Sequence, residues 1–172
     1  GTARAIGSRL WGSFRVDSME SLSWPLSRSL LEAVLADRLS DRLVAELVWE
    51  RLGYRQQSGG GGPWLAGPQT PEAWRDAFPE APEVVASRPA SVALTRSIPR
   101  EHKQLLKEQL HFAGYRIGEL YPRRTRRATV VSWLLAWLAD QGGELPSAGP
   151  LPELRDPPEN PVQGHPGDPP VG

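Results

Sequence analysis

The residues best placed to do chemistry are arginines. Ten of the twenty Lys and Arg residues fall between Arg88 and Arg127, and the densest run is Tyr121-Pro122-Arg123-Arg124-Thr125-Arg126-Arg127. That run leads straight into the most apolar stretch of the chain. Thr125 reads as the N-cap of a helix, which makes Arg126 and Arg127 its first two residues. Cations there oppose the helix dipole, at about 0.3–1 kcal/mol each when exposed. A negative group is therefore expected, and three sources would serve. An internal carboxylate such as Glu119, Glu101 or Glu108 would form ion pairs, an acidic protein partner would dock, or a phosphate would sit on free backbone N–H groups between guanidinium forks.

Other residues extend the patch. Arg96, Arg100, Lys103, Lys107 and Arg116 add positive charge, with Lys103 and Lys107 four apart on one helix face. Tyr115 and Tyr121 offer ring faces on which bases can stack. Trp133 and Trp137, also four apart, are core residues of a central helix or, beside the arginines, anchors for a partner. The expected anion- or partner-binding set is Arg96, Lys103, Arg116, Arg123, Arg124, Arg126 and Arg127, with Tyr115, Tyr121, Trp133 and Trp137 as interface aromatics.

Catalytic and metal chemistry find little footing. There is no cysteine, so thiolate metal sites and disulfides are excluded. His102 and His111 are nine residues apart, about 180° around a helix, and cannot share a metal on a straight one. His165 lies in a Pro-rich segment, and no nucleophile–base ordering is present. Asp37 and Asp41 flank a helix junction and read as cap and dipole residues. Glu119, the acid inside the basic block, reads as an ion-pair partner of Arg116 or Arg123. The expectation is a non-catalytic binding module without cofactor or metal. It would be an adaptor or assembly factor for an acidic protein partner, or alternatively a non-sequence-specific binder of RNA or a phosphate ligand. An enzyme assembled from scattered residues is the third class.

The elements that must position these groups are mainly helical. Leu26, Leu30, Leu31, Val34 and Leu35 mark a first helix ending near Asp37. Ser40 caps a second, with Leu43, Val44, Leu47, Val48 and Leu52 on one stripe and Gly53 as its stop. Gly59 to Gly62 form a flexible loop without a phosphate-loop lysine. Thr70-Pro71-Glu72 opens a short helix carrying Trp74 and Phe78. Residues 91–97 alternate and predict a strand, Pro99 starts a helix closed by Gly114, and Tyr115–Leu120 predicts a second strand. The last helix follows Thr125 and ends near Gly142. The order ααα-β-α-β-α describes a helix-dominated α+β single domain with a minimal sheet.

Charge is segregated along the chain. The net total is zero, yet residues 88–127 hold ten basic groups against three acidic (+7), and residues 128–172 hold one against six (−5). Residues 141–172 contain nine Pro and six Gly and few large apolar side chains, which predicts a disordered acidic tail. Residues 1–21 read as a disordered or loosely held extension, leaving residues 22–140 as the folded body. The longest apolar run, Ala128 to Ala139, is too short for a membrane span.

Several segments look familiar together: Ala86-Ser87-Arg88-Pro89, Leu94-Thr95-Arg96-Ser97-Ile98-Pro99, His102-Lys103-Gln104-Leu105-Leu106-Lys107, Gly114-Tyr115-Arg116-Ile117-Gly118-Glu119-Leu120 and Arg123-Arg124-Thr125-Arg126-Arg127-Ala128-Thr129. With Leu39-Ser40-Asp41 and Leu52-Gly53-Tyr54, the chain over about residues 26–140 resembles a family of small uncharacterised proteins, a domain of unknown function, from cyanobacteria and chloroplast-bearing lineages. The resemblance implies lineage and compartment, the cyanobacterial cytoplasm or the chloroplast stroma. It implies no activity and no site residues.

Overall fold

The computed structural model describes residues 22–57 and 60–172, and the extension expected over residues 1–21 lies outside them. Among the described residues, six α-helices and one two-stranded antiparallel sheet make a helix-dominated α+β fold with a minimal sheet, the expected class. The helices are α1 (Arg28–Leu35), α2 (Asp41–Arg51), α3 (Glu72–Ala77), α4 (Arg88–Ser97), α5 (Leu105–Leu110) and α6 (Pro122–Asp140); the strands are β1 (Arg55–Gln56) and β2 (Trp64–Leu65). The described residues fall into two compact units, one built on Leu47–Ala81 with residues 22–25, the other on Leu26–Glu46 with Pro82–Gly172.

In the first unit the chain leaves α2 through Gly53 at φ +86° and makes a hairpin pairing Arg55 with Leu65 and Gln56 with Trp64. The glycine-rich loop is the hairpin's connection. Gly67 is needed for close approach, because a Cβ there would lie 2.6 Å from the Gly53 carbonyl oxygen. Trp49 and Trp64 pack with ring centroids 5.4 Å apart. Tyr54 is buried and donates its hydroxyl to the Phe78 carbonyl at 2.7 Å, and burial pushes its pKa up to about 12.

In the second unit α6 is the central element, packed against α1, α4 and α5. Leu30, Leu31 and Val34 of α1, Leu94 of α4, and Val130, Val131, Leu134 and Leu135 of α6 are wholly or almost wholly buried, so α6 is apolar on several sides because it is covered on several sides. Ser27 caps α1 by accepting from the Leu30 N–H, and Ser40 caps α2 by accepting from Leu43.

The strands do not lie where the sequence predicts them. Residues 91–97 belong to α4, not to a strand. Ser87 caps this helix by accepting from Ala90, Pro89 sits in its first turn, and Ala90 and Leu94 bury one face. The helix period outweighs a short local alternation. Residues 115–120 hold only a 3-10 turn, Ile117–Glu119, because Gly118 and an exposed run give a strand nothing to pair with. The helix expected from Pro99 is a 3-10 turn, Arg100–His102, followed by α5, so Lys103 and Lys107 do not share one helix face. The last helix starts at Pro122, a turn before Thr125. Proline suits the first helical position, and the Thr125 hydroxyl donates to the Pro122 carbonyl instead of capping.

The Pro/Gly-rich segment 141–172, expected to be disordered, follows a defined course over the second unit. Its carbonyls at Pro146 and Ser147 accept from the Arg28 and Ser29 amides, Arg155 N–H reaches the Arg38 carbonyl, and Gly172 N–H reaches that of Ala86. The His165 side chain is buried. Composition misses this because the segment's order comes from contacts to another part of the chain, not from a core of its own.

Candidate functional site

The arginines of α6 divide into two groups. Arg123 and Arg127, one turn apart, point inward and are 0% exposed. Facing them are two carboxylates. Asp37 follows α1 in the left-handed region (φ 62°), which short polar side chains tolerate, and Asp41 opens α2. Arg123 donates from Nε and Nη2 to Asp41 at 2.8 and 2.6 Å, and from Nη1 and Nη2 to Asp37 at 3.0 and 2.9 Å. Arg127 donates to Asp41 Oδ1 at 2.8 Å and to the carbonyls of Val34 and Leu39. These are charge-assisted, forked contacts. Burial alone would raise the Asp37 carboxyl, but the Arg123 hydrogen bonds and the Arg127 charge outweigh it and hold it below its ordinary value. Burial likewise opposes the charge on Arg123, yet the bonds to Asp41 and Asp37 raise its pKa.

The long segment 141–172 completes this cluster. Pro161 O accepts from Arg123 Nη1 at 2.9 Å, and Asp168 Oδ1 accepts from the Asp41 N–H at 3.0 Å. His165 Nε2 lies 3.0 Å from the Asp37 carbonyl oxygen and 3.2 Å from its Oδ1. Both are acceptors, so Nε2 carries the proton.

Arg123 and Arg127 are thus buried and not exposed as the expected anion- or partner-binding surface; an internal anion completes them. That anion is Asp37 with Asp41, not Glu119, Glu101 or Glu108, which are all exposed. The reading of Asp37 and Asp41 as mere cap residues is corrected with it. The spacing held a signal: Asp37 and Asp41 are four apart, as are Arg123 and Arg127, so each pair presents two like charges to one place. His165 and Asp168 carried no such signal, set among prolines and glycines.

Arg124 is partly covered, its Nε 3.5 Å from Asp37 Oδ2 and its guanidinium 5.5 Å from the Tyr121 ring centroid. Tyr115 is half-buried and donates its hydroxyl to Leu35 O, which leaves it poorly placed for stacking. Trp133 is buried, its indole N–H donating to Ser97 Oγ at 3.0 Å, so it is a core residue and not an interface anchor. Trp137 is half-buried on the same helix. Arg96, Lys103 and Arg116 are exposed.

Arg126 belongs to the second group. Its Nη1 donates to the carbonyls of Val85 and Ala86 at 3.2 and 3.0 Å, which fixes the guanidinium beside the start of α4. There it lines a groove of about 430 Å³ with Arg88, Val92, Thr95, Leu120 and Tyr121. Burial, and then the charge of nearby Arg88, lower the Arg126 pKa from its ordinary value. Among the described residues no carboxylate pairs with Arg88 or Arg126. Leu120 is 51% exposed at the rim, and Ile117 nearby in sequence is 90% exposed. Arg88 is not in the expected set, because it sits alone at the edge of the basic block.

No group of His, Asp and Glu among the described residues is arranged to hold a metal ion, and no helix among them is long and apolar enough to cross a membrane. A family model described as "Domain of unknown function (DUF1823)" matches residues 25–139. A protein solved by solution NMR is 51% identical, with a TM-score of 0.57 over 65% of this chain and 92% of its own. No curated protein matches the chain.

Proposed function

The chain belongs to the DUF1823 family, a domain of unknown function, and from the geometry of its second unit we propose a non-catalytic binding module. It acts as an adaptor or assembly factor that holds an acidic segment of a partner protein in the groove between α4 and the start of α6. One observation carries the reading. Arg88 and Arg126 are held near each other at that groove, like charges without a carboxylate among the described residues. Two main-chain carbonyls fix Arg126 in place, so it is preorganised for a carboxylate. The apolar rim of Val92 and Leu120 suits a peptide that alternates acidic and aliphatic side chains better than a free phosphate. The proposed setting, which rests on the sequence resemblance alone, is the cytoplasm of a cyanobacterium or the stroma of a plastid.

The test is an NMR titration of the labelled full chain with a synthetic Glu/Leu-rich peptide, and separately with inorganic phosphate and with poly(U) RNA. The peptide is expected to shift the Val92, Thr95, Thr125 and Arg126 amides saturably, and Arg88→Ala with Arg126→Ala to abolish the response. RNA binding at the same amides, with an affinity falling steeply with salt, would replace the protein-partner reading by the nucleic-acid one. Silence with all three probes would remove the groove as a binding site.

A further inference from the structure

The buried cluster of Arg123, Arg127, Asp37 and Asp41 does not line the groove. Within the family-matched residues 25–139 it contains three guanidiniums, Arg123, Arg124 and Arg127, but two carboxylates, Asp37 and Asp41. A third carboxylate reaches the cluster from outside that stretch. Asp168 bonds the first N–H of α2 and lies 4.0 Å from Arg123 Nη2. About a third of this chain has no counterpart in the NMR-solved relative, which is itself matched over 92% of its length.

We infer that the Asp37–Asp41–Arg123 centre is a binding site for a carboxylate borne on an extended Gly/Pro-rich peptide, and that residues Asn160–Asp168 are its intramolecular occupant, a releasable strap. The segment is fitted to the site in the way a ligand is. Turns at Asn160 and at His165–Asp168 hold it: Asn160 accepts from Val162 and Gln163, and the His165 N–H donates to Asp168 Oδ2 at 2.7 Å. Gly164 lies flat against the guanidinium at φ +93°, where a Cβ would come within 2.7 Å of both Arg123 Nε and Asp168 Oδ2. Three polar groups of the body, Arg123 Nη1, the Asp41 N–H and the Asp37 carbonyl, have partners in the strap.

The strap is also held loosely enough to leave. Residues 141–172 contain no helix or strand, and a space of about 630 Å³ remains beside the strap, lined by Pro122, by Val162 and Asp168 of the strap, and by Val171 beyond it. Burial, and then the Asp41 charge, raise the Asp168 carboxyl above its ordinary value, so its ionised form is held at a cost that release recovers. Covalent attachment supplies an effective concentration in the millimolar range, enough to keep a weak contact closed. A free peptide of the same chemistry competes only when the strap is weakened.

The experiment uses the full chain and a fluorescein-labelled peptide of residues 158–172. Gly164→Val forces the strap off the guanidinium, and Asp168→Ala removes the carboxylate. In both variants the Asp41 amide is expected to exchange its hydrogen about tenfold faster or more, while the Leu134 and Leu135 amides of α6 keep their protection. The peptide is expected to bind both variants about tenfold more tightly, or better, than the wild-type chain, where the strap competes. A peptide with Asp168→Asn is expected to lose that affinity. Three results would each overturn the inference: variants that bind the peptide no better than wild type, an asparagine peptide that binds as well, or α6 amides that lose protection together with Asp41. The last would make the segment an integral part of the fold. None of these readouts involves Val92, Thr95 or Arg126, so the groove and the strap stand or fall separately.

Discussion

Asp41 accepts from three guanidinium nitrogens, Nε and Nη2 of Arg123 and Nη1 of Arg127, in a place wholly closed to water. A carboxylate there is tolerable only because those donors replace its hydration, and the converse holds for the arginines. Removing one member strands the others. Asp41→Ala is therefore expected to cost about 3–5 kcal/mol of folding free energy. Arg116→Ala, at an exposed residue, is expected to stay within about 0.5 kcal/mol of wild type. Urea unfolding of the two variants measures both. Equal midpoints would mean that the buried cluster contributes no more than a surface charge.

At the scale of elements, where each helix begins decides what its side chains can reach. Starting α6 at Pro122 turns Arg123 and Arg127 inward, whereas a start at Thr125 would have left Arg126 and Arg127 at an exposed end. The two starts predict different losses. Thr125→Ala removes only a hydroxyl bonded to a carbonyl one turn back, for an expected cost of a few tenths of a kcal/mol, because an N-cap to alanine change costs about 0.5–2 kcal/mol and this is not a cap. Ser87→Ala removes the cap of α4 and is expected to cost about 1 kcal/mol. Thermal or urea unfolding that ranks them the other way would put the helix starts elsewhere. The same elements show what the sequence could tell. The cap at Ser40 and the stops at Gly53 and Gly142 were legible, because capping is decided within a few residues. Arg96, Lys103 and Arg116 were legible as members of a basic block, and the structure leaves them exposed. The partners of Arg123 and Arg127 were not, since Asp37 and Asp41 lie 82 to 90 positions away and no local rule joins them. Likewise α4 was misread because seven residues of alternation fit a strand as well as a helix, until Ser87 and Pro89 are read as its start.

Over the whole chain, segregated charge turns out to record pairing in space. The +7 block meets Asp37 and Asp41 from residues 20–87, which hold six basic groups against ten acidic, and Asp168 from the acidic stretch after it. The cancellation is uneven, and its unevenness has a pH signature. Asp37 is held below its ordinary value of 3.8, so what it contributes is present above that value and is lost as pH falls through the lowered one. Glu83 goes the other way. Burial raises it above 4.5 against the pull of Arg42, with Asp41, Glu46 and Asp168 adding repulsion. Between 4.5 and the raised value the folded chain binds more protons at Glu83 than the unfolded chain does, so stability falls as pH rises through that window. The Glu83→Gln variant has nothing to ionise there and keeps a neutral side chain of the same shape. Its stability relative to wild type is expected to climb as pH rises from 4.5 through that window, then level off. Urea unfolding of both chains across the pH range reads that difference directly. A difference flat with pH would mean that Glu83 ionises in the folded protein as easily as in the unfolded one, and that burial beside Asp41 and Asp168 is offset by Arg42 alone.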